Sequence, residues 1–167
     1  MILPYTQEEL LDIEKHRELN DKQDNFLKDE RDNWNAKIKP LYDMLKDDFR
    51  NPTTVRQLIQ AQADCLNYRQ SINDQINLYL NIRSEKDVKR KMVSAEKMVY
   101  YKTNFGIKPS TFGELNTLVD ASIAEYIRGI ELIETYITFL RDTLKCLESF
   151  TYTIKNIVEL LNYLDGK

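Results

Sequence analysis

The sequence predicts an all-α protein made of long amphipathic helices, and three observations support this fold class. The 167 residues include only four glycines and four prolines, fewer than turn-rich β-sheet or glycine-loop α/β architectures need. The stretch 54–104 contains neither of them. Apolar residues in the last third of the chain repeat with the heptad spacing of a coiled coil. Helix start and stop signals divide the chain into three segments, 1–50, 51–108 and 109–167.

The composition argues against several classes of functional site. His16 is the one histidine, and Cys65 and Cys146 are too far apart for a zinc pattern or a disulfide framework. The four glycines are too scattered for a phosphate-binding loop, so we expect no metal, no cofactor and no enzymatic activity. No apolar run approaches the roughly 20 residues that cross a bilayer, and Glu8 and Glu9 lie where a signal peptide would be apolar. We therefore expect a soluble cytoplasmic protein without membrane contact.

The first segment, residues 1–50, is predicted to be an acidic amphipathic helix. Thr6 and Glu9 form a capping-box pattern, which predicts a helix start near residue 7. Pro40 lies inside the helical stretch and predicts a kink or a restart there. With 9 basic and 13 acidic side chains, the segment is suited to docking a basic partner. Its apolar stripe consists of Leu27, Trp34, Ile38, Leu41, Leu45 and Phe49.

The second segment, residues 51–108, is predicted to be one long helix with a basic second half. It carries 10 basic and 5 acidic side chains, although the whole chain has a net charge of −3. One heptad column is apolar and reads Leu58, Cys65, Ile72, Tyr79, Val93 and Tyr100. The alternate column reads Val55, Gln62, Arg69, Ile76, Arg83, Arg90 and Lys97. The basic half of this column is expected to face water or a polyanion.

The basic half of the second segment, which we name the basic rail, is a candidate nucleic-acid-binding surface. Four cations at offsets of 0, 3, 7 and 14 from Arg83 share one helix face, a spacing that suits a phosphate backbone. Tyr100 and Tyr101 follow, and unpaired bases stack on such rings. The alternative is a solvated charged face with the tyrosines in the core. The candidate residues are Arg83, Lys86, Lys89, Arg90, Lys91, Lys97, Tyr100, Tyr101 and Lys102.

The third segment, residues 109–167, is predicted to be a helix that runs from a capping box at Thr111 and Glu114 to Gly166. Two heptad columns are apolar at twelve of thirteen positions, which is typical of a coiled-coil seam. The columns read Ile123, Ile130, Ile137, Leu144, Thr151 and Val158, and Val119, Tyr126, Ile133, Leu140, Leu147, Ile154 and Leu161.

The apolar face of the third segment widens toward its end, where Phe150, Ile157 and Leu164 add a third column. One partner helix cannot cover this width, and an exposed apolar patch of that size is rare in monomers. We therefore expect a bundle seam that assembles chains into a closed cyclic oligomer. The expected oligomerisation residues are Ile133, Ile137, Leu140, Leu144, Leu147, Ile154, Ile157, Val158, Leu161 and Leu164.

The end of the chain, residues 146–166, reads CLESFTYTIKNIVELLNYLDG. This order of an apolar helix, an aromatic, Ile-Lys-Asn-Ile, a carboxylate and a closing leucine before glycine resembles phage recombination mediators of the UvsY type. The same family places a basic residue and a tyrosine pair before a glycine-containing connector, as do Lys97, Tyr100, Tyr101 and Gly106 here. The resemblance covers residues 83–166. A second basic residue of the family, two positions before Lys97, is Ala95 in this chain.

The resemblance implies a mediator without catalytic activity that binds single-stranded DNA and forms a ring-like oligomer of six or seven chains. It also implies contacts with a single-strand-binding protein and with a RecA-like recombinase. The mediator would help the recombinase to replace the single-strand-binding protein on DNA. The competing hypothesis is a phage coiled-coil scaffold or assembly protein without a DNA-binding role, since the apolar seam alone fits that class equally well.

Overall fold

The computed structural model describes residues 7–46, 52–103, 109 and 111–165, and these residues are almost entirely helical. Four helices follow one another: α1 (Gln7–Met44), α2 (Pro52–Thr103), α3 (Phe112–Ser122) and α4 (Ala124–Asp165). No strand occurs within these ranges. The all-α prediction is therefore confirmed. Thr6, Gly106 and Gly166, on which some of the predicted boundaries depend, lie outside the described residues, as does Phe49 of the predicted apolar stripe.

The chain divides into two compact units, each formed from two stretches that are distant in sequence. Unit 1 combines Met1–Leu27 with Tyr79–Thr135, and unit 2 combines Lys28–Leu78 with Tyr136–Lys167. The boundaries between the units fall inside α1, α2 and α4. Each unit consequently takes helical segments from both halves of the sequence.

The core of unit 1 is built from apolar side chains at helical spacing. Tyr101 at the end of α2 packs with Leu115 and Val119 of α3, so the short third helix closes this part of the core. The remaining buried apolar residues of the unit are Leu27, Ile123, Ile130 and Ile133.

The start of α3 confirms the predicted capping box. The hydroxyl oxygen of Thr111 accepts a hydrogen bond from the backbone N–H of Glu114 at 3.2 Å. The backbone N–H of Thr111 in turn donates to the Glu114 carboxylate at 3.3 Å. These bonds satisfy two N–H groups that a helix start leaves without intrahelical acceptors.

The predicted single helix from Thr111 onward is wrong, because the chain breaks at Ile123 into α3 and α4. The Ser122 hydroxyl donates to the backbone carbonyl of Val119 at 2.7 Å, a local bond that bends helices. Ile123 leaves the helical region with φ −106° and ψ 7°, yet its side chain stays buried. The heptad pattern persists through the break, which explains why the sequence did not reveal it.

The core of unit 2 contains the predicted apolar faces of α1 and α2. Trp34, Ile38 and Leu41 are buried, which confirms this part of the α1 stripe. The Trp34 indole N–H donates to the side-chain oxygen of Gln75 at 3.0 Å, and the Tyr136 hydroxyl donates to the same oxygen at 3.2 Å. Helix α1 continues through Pro40 without a restart. From α2 the buried residues are Leu58, Ala61, Cys65 and Ile72.

The structure corrects the assignment of half of the seam to contacts between chains. These side chains are already buried within a single chain, so they are unavailable to a second chain. This group consists of Ile133, Ile137, Leu140, Leu147 and Ile154, each at most 3% exposed. The end of α4 differs: Leu144, Ile157, Val158 and Leu161 are partly buried, and Leu164 is exposed.

Candidate nucleic-acid interface

The basic rail occupies the part of α2 that belongs to unit 1, and it divides into exposed and partly buried cations. The side chains of Arg83, Lys89, Lys91 and Lys102 are exposed. Those of Lys86, Arg90 and Lys97 are partly buried. The one predicted row of cations therefore has two different environments.

Three cations of the rail form exposed or half-exposed ion pairs. The Arg83 guanidinium lies 2.6 Å from a carboxylate oxygen of Glu134 in α4. Arg90 and Lys91 both contact Asp87, one turn earlier on α2, at 2.8 Å each. Hydrogen bonds from Lys91 and then Arg90 lower the pKa of Asp87, so this carboxylate stays ionised and offsets part of the local positive charge.

Lys97 faces the protein interior instead of water. Its ammonium group pairs with the carboxylate of Glu9 in α1, and the two side chains are only 25% and 14% exposed. The ammonium also lies 5.9 Å from the ring centroid of Tyr100. The expectation that the basic half of the column faces water or a polyanion is wrong for Lys97, because an acidic residue of α1 neutralises it across the helix contact.

Lys86 borders a small cavity of about 210 Å³ in unit 1. Its ammonium donates to the Gln23 side chain at 2.8 Å, and burial, followed by the nearby charge of Lys89, lowers the pKa of Lys86. His16 also lines this cavity, with its ring centroid 4.4 Å from that of Tyr126. Lys86 and His16 thus contribute mainly to packing between helices of the unit.

The two tyrosines of the predicted stacking surface have different environments. Tyr101 is completely buried with Leu115 and Val119, so its assignment as a base-stacking residue is corrected. Tyr100 is partly buried and contacts Tyr101 edge to face, with 5.5 Å between the ring centroids. The alternative assignment of a tyrosine to the core is therefore the right one for Tyr101.

The acidic partners of the rail were not found from the sequence. Glu9 and Glu134 lie 88 and 51 positions from the cations that they bind, beyond the reach of helical spacing rules. One signal was present, since residues 1–50 and 109–167 each have a net charge of −4 and residues 51–108 have +5. Opposite charges on neighbouring segments favour ion pairs between helices.

The remaining lysines, Lys89 and Lys102, give the rail its free positive charge. Neither forms an ion pair with a carboxylate in the described ranges, although the Lys89 ammonium lies 5.8 Å from the Tyr126 ring centroid. Together with Arg83 and Lys91, they form the exposed part of the rail. Helical spacing places Lys89 on a different side of α2 from Lys91 and Lys102, and the four side chains include no nucleophile or acid–base pair.

The described residues contain no group of three or more His, Cys, Asp and Glu side chains placed to hold a metal ion. No helix among them is both long enough and apolar enough to span a membrane. Comparison of the chain with protein-family models, with curated proteins and with solved structures finds no match.

Proposed function

We propose that this chain is a recombination mediator that binds single-stranded DNA and helps a RecA-like recombinase to replace a single-strand-binding protein. The proposal rests on the resemblance of residues 83–166 to phage mediators of the UvsY type. The structural observation that carries it is the exposed set of cations on one helix. This set consists of Arg83, Lys89, Lys91 and Lys102.

The ion pairs of this exposed set do not prevent phosphate binding. Exposed ion pairs contribute only about 0–1 kcal/mol, so a phosphate group can replace Glu134 at Arg83 or Asp87 at Lys91. Lys97 is different, because separating it from the mostly buried Glu9 would leave a buried charge without its partner. We therefore assign DNA contacts to the exposed cations and assign Lys97 to positioning α2 against α1.

Assembly into a ring would multiply these weak contacts. The end of α4 leaves several large side chains in water, and exposed apolar surface of this kind favours contacts between chains. These residues are Leu160, Tyr163 and Leu164, each 58–62% exposed, next to the partly buried Ile157 and Leu161. We propose a homo-oligomer of six or seven chains through this surface, in which many cationic sites bind one strand with high avidity.

The mechanism follows from holding one strand at many sites. A strand bound along several subunits follows an altered path, which weakens its hold by a single-strand-binding protein. The freed nucleotides then become accessible to the recombinase. This step requires no nucleotide hydrolysis by the chain itself.

A second candidate function is a phage assembly scaffold that does not bind DNA. The observation that favours it is the internal use of the rail, since Arg83, Lys86, Arg90 and Lys97 all contact side chains of the same chain. Measured affinity for single strands separates the two candidates.

Binding of a fluorescent single-stranded oligonucleotide across a salt series tests the proposal. Removal of three cations, by Lys89→Ala, Lys91→Ala and Lys102→Ala together, should weaken binding and reduce the salt slope by about 2, since each single-strand phosphate contact contributes about 0.7. The control replaces three exposed lysines outside the rail, Lys15, Lys39 and Lys145, with alanine. Equal affinity of both variants, or no binding by the wild type, would contradict DNA binding through the rail and favour the scaffold function.

A strand-exchange assay tests mediation itself. The recombinase is inhibited by a pre-bound single-strand-binding protein, and the wild type or the rail variant is added. Rescue by the wild type alone supports mediation through DNA contact. Equal rescue by both proteins would assign mediation to protein contacts, and rescue by neither would contradict the mediator function.

A further inference from the structure

The outer face of α2 in unit 1 carries an exposed apolar stripe that the rail does not include. Val88, Met92 and Val99 are 55%, 60% and 61% exposed, and Ala95 between them is exposed as well. Their spacing of four, three and four residues is that of alternating core positions in a coiled coil. The two positions that continue this spacing, Glu85 and Lys102, carry opposite charges.

The stripe is complementary to a reversed copy of itself. If two α2 helices lie antiparallel about a point midway between residues 92 and 95, Val88 of one chain faces Val99 of the other. Met92 then faces Ala95, which places a large side chain against a small one, as core packing requires. We propose that a second copy of this chain docks on this stripe, with the two α2 helices antiparallel about a two-fold axis.

The charges beside the stripe support the same arrangement. In the antiparallel pair, Glu85 of each chain faces Lys102 of the other, and Lys89 lies beside Glu96 of the other. Neither Glu85 nor Glu96 has a cationic partner in the part of the chain that the structure describes. A parallel pair would instead place Glu85 against Glu85 and Lys102 against Lys102, which is unfavourable.

The contact is small and reversible. It involves about two heptads of each chain, so its area lies below the roughly 1,200 Å² of a standard protein interface. It uses Lys89 and Lys102, which the proposed function assigns to DNA, so the second copy and a single strand compete for the same surface. The inference does not depend on DNA binding, since the stripe and its charges are sufficient.

Disulfide cross-linking between chains that each carry one exposed cysteine, with Cys65 left buried, tests both the contact and its direction. Val88→Cys and Val99→Cys are prepared separately in the full chain with Cys146→Ser, which removes the exposed native thiol. Oxidation of the mixed proteins should give the 88–99 cross-linked dimer, because facing residues meet the distance that a disulfide needs. Each variant alone should stay monomeric on denaturing gels. Cross-linking of each variant alone would show a parallel pair, and absence of any cross-link would overturn the proposal.

A charge exchange tests the specificity of the contact on the same cross-linking readout. Lys89→Glu or Glu96→Lys alone places like charges side by side and should reduce the yield of the mixed dimer several-fold. The two changes together restore opposite charges and should restore the yield. Circular dichroism verifies that each variant is folded. The antiparallel register would be contradicted if the yield of mixed dimer were unchanged in all three variants. It would also be contradicted if the double variant did not recover the yield.

Discussion

Gly129 of α4 and Asn20 of α1 approach so closely that a Cβ on the glycine would lie 2.7 Å from the Asn20 side-chain oxygen. Asn20 is 5% exposed and is fixed by hydrogen bonds to Glu125, to its carbonyl at 2.8 Å and to its carboxylate at 3.0 Å. These two hydrogen bonds hold the Asn20 side chain in its position beside Gly129. Glycine at this helix position permits the two helices to make a polar contact inside unit 1.

Gly129→Ala should destabilise unit 1 despite the higher helix propensity of alanine. The propensity gain is about 1 kcal/mol, whereas displacing Asn20 breaks two partly buried hydrogen bonds at roughly 1 kcal/mol each and leaves polar groups unpaired. We expect a net loss of about 1–2 kcal/mol in the free energy of unfolding, measured by urea denaturation.

The double variant Asn20→Ala/Gly129→Ala provides the control for this contact. Once Asn20 is shortened, the added methyl group has space, and the second change should be neutral or stabilising. A Gly129→Ala effect of the same size in both backgrounds would contradict a direct contact with Asn20.

Gln75→Leu should cost about 1–3 kcal/mol, because the buried Trp34 indole N–H loses its acceptor. The exposed Gln70, which bonds Asp74 at 2.9 Å, offers a matched comparison. Gln70→Leu should change stability by less than about 0.5 kcal/mol. Thermal or urea unfolding of the two variants measures the difference, and equal stabilities would contradict the role of Gln75.

The two cysteines should react at very different rates with a thiol reagent. Cys65 is completely buried, and its pKa is raised to about 11, mainly by burial, so the thiolate is scarce at pH 8. Cys146 is exposed. We expect one fast equivalent in the native protein and a second only after denaturation, and two fast native equivalents would contradict the burial of Cys65.

Glu125 should make unit 1 sensitive to acid. Burial alone would raise the pKa of this carboxyl group, but hydrogen bonds from Asn20 and Arg17 and the charge of Arg128 outweigh it and lower the pKa. The stabilisation is complete above the unfolded value of about 4.3 and is lost as the pH falls through the lower folded value. The stability difference between wild type and Glu125→Gln, measured by urea unfolding, should therefore shrink from pH 7 to pH 3. A constant difference would contradict this role.

Helical periodicity identified the elements of this fold but not the surfaces that they bury. The burial of Trp34, Ile38 and Leu41 and the Thr111 cap follow from local patterns, because spacing and capping act within a few residues. Leu147 and Leu164 look alike in the sequence, yet one is buried and the other is exposed. That difference depends on tertiary contacts, which spacing alone does not encode.

The same limit explains the outcome for the candidate site. The positive charge of α2 was visible from composition, and its exposed lysines remain candidates for DNA contact. The pairing of Lys97 with Glu9 and the burial of Tyr101 depend on contacts between distant stretches of chain. The break at Ile123 interrupts a continuous apolar pattern, so the pattern alone could not predict it.

The assembly of unit 1 from two stretches that are distant in sequence has a consequence for biosynthesis. Asn20 leaves the ribosome 105 residues ahead of Glu125, to which it binds. At about 5–20 residues per second, the start of α1 waits roughly 5–20 s for its partners. During this interval the side chains of α1 that will later be buried are in contact with water, so nascent chains close to one another on a polysome can pair in place of the native contact.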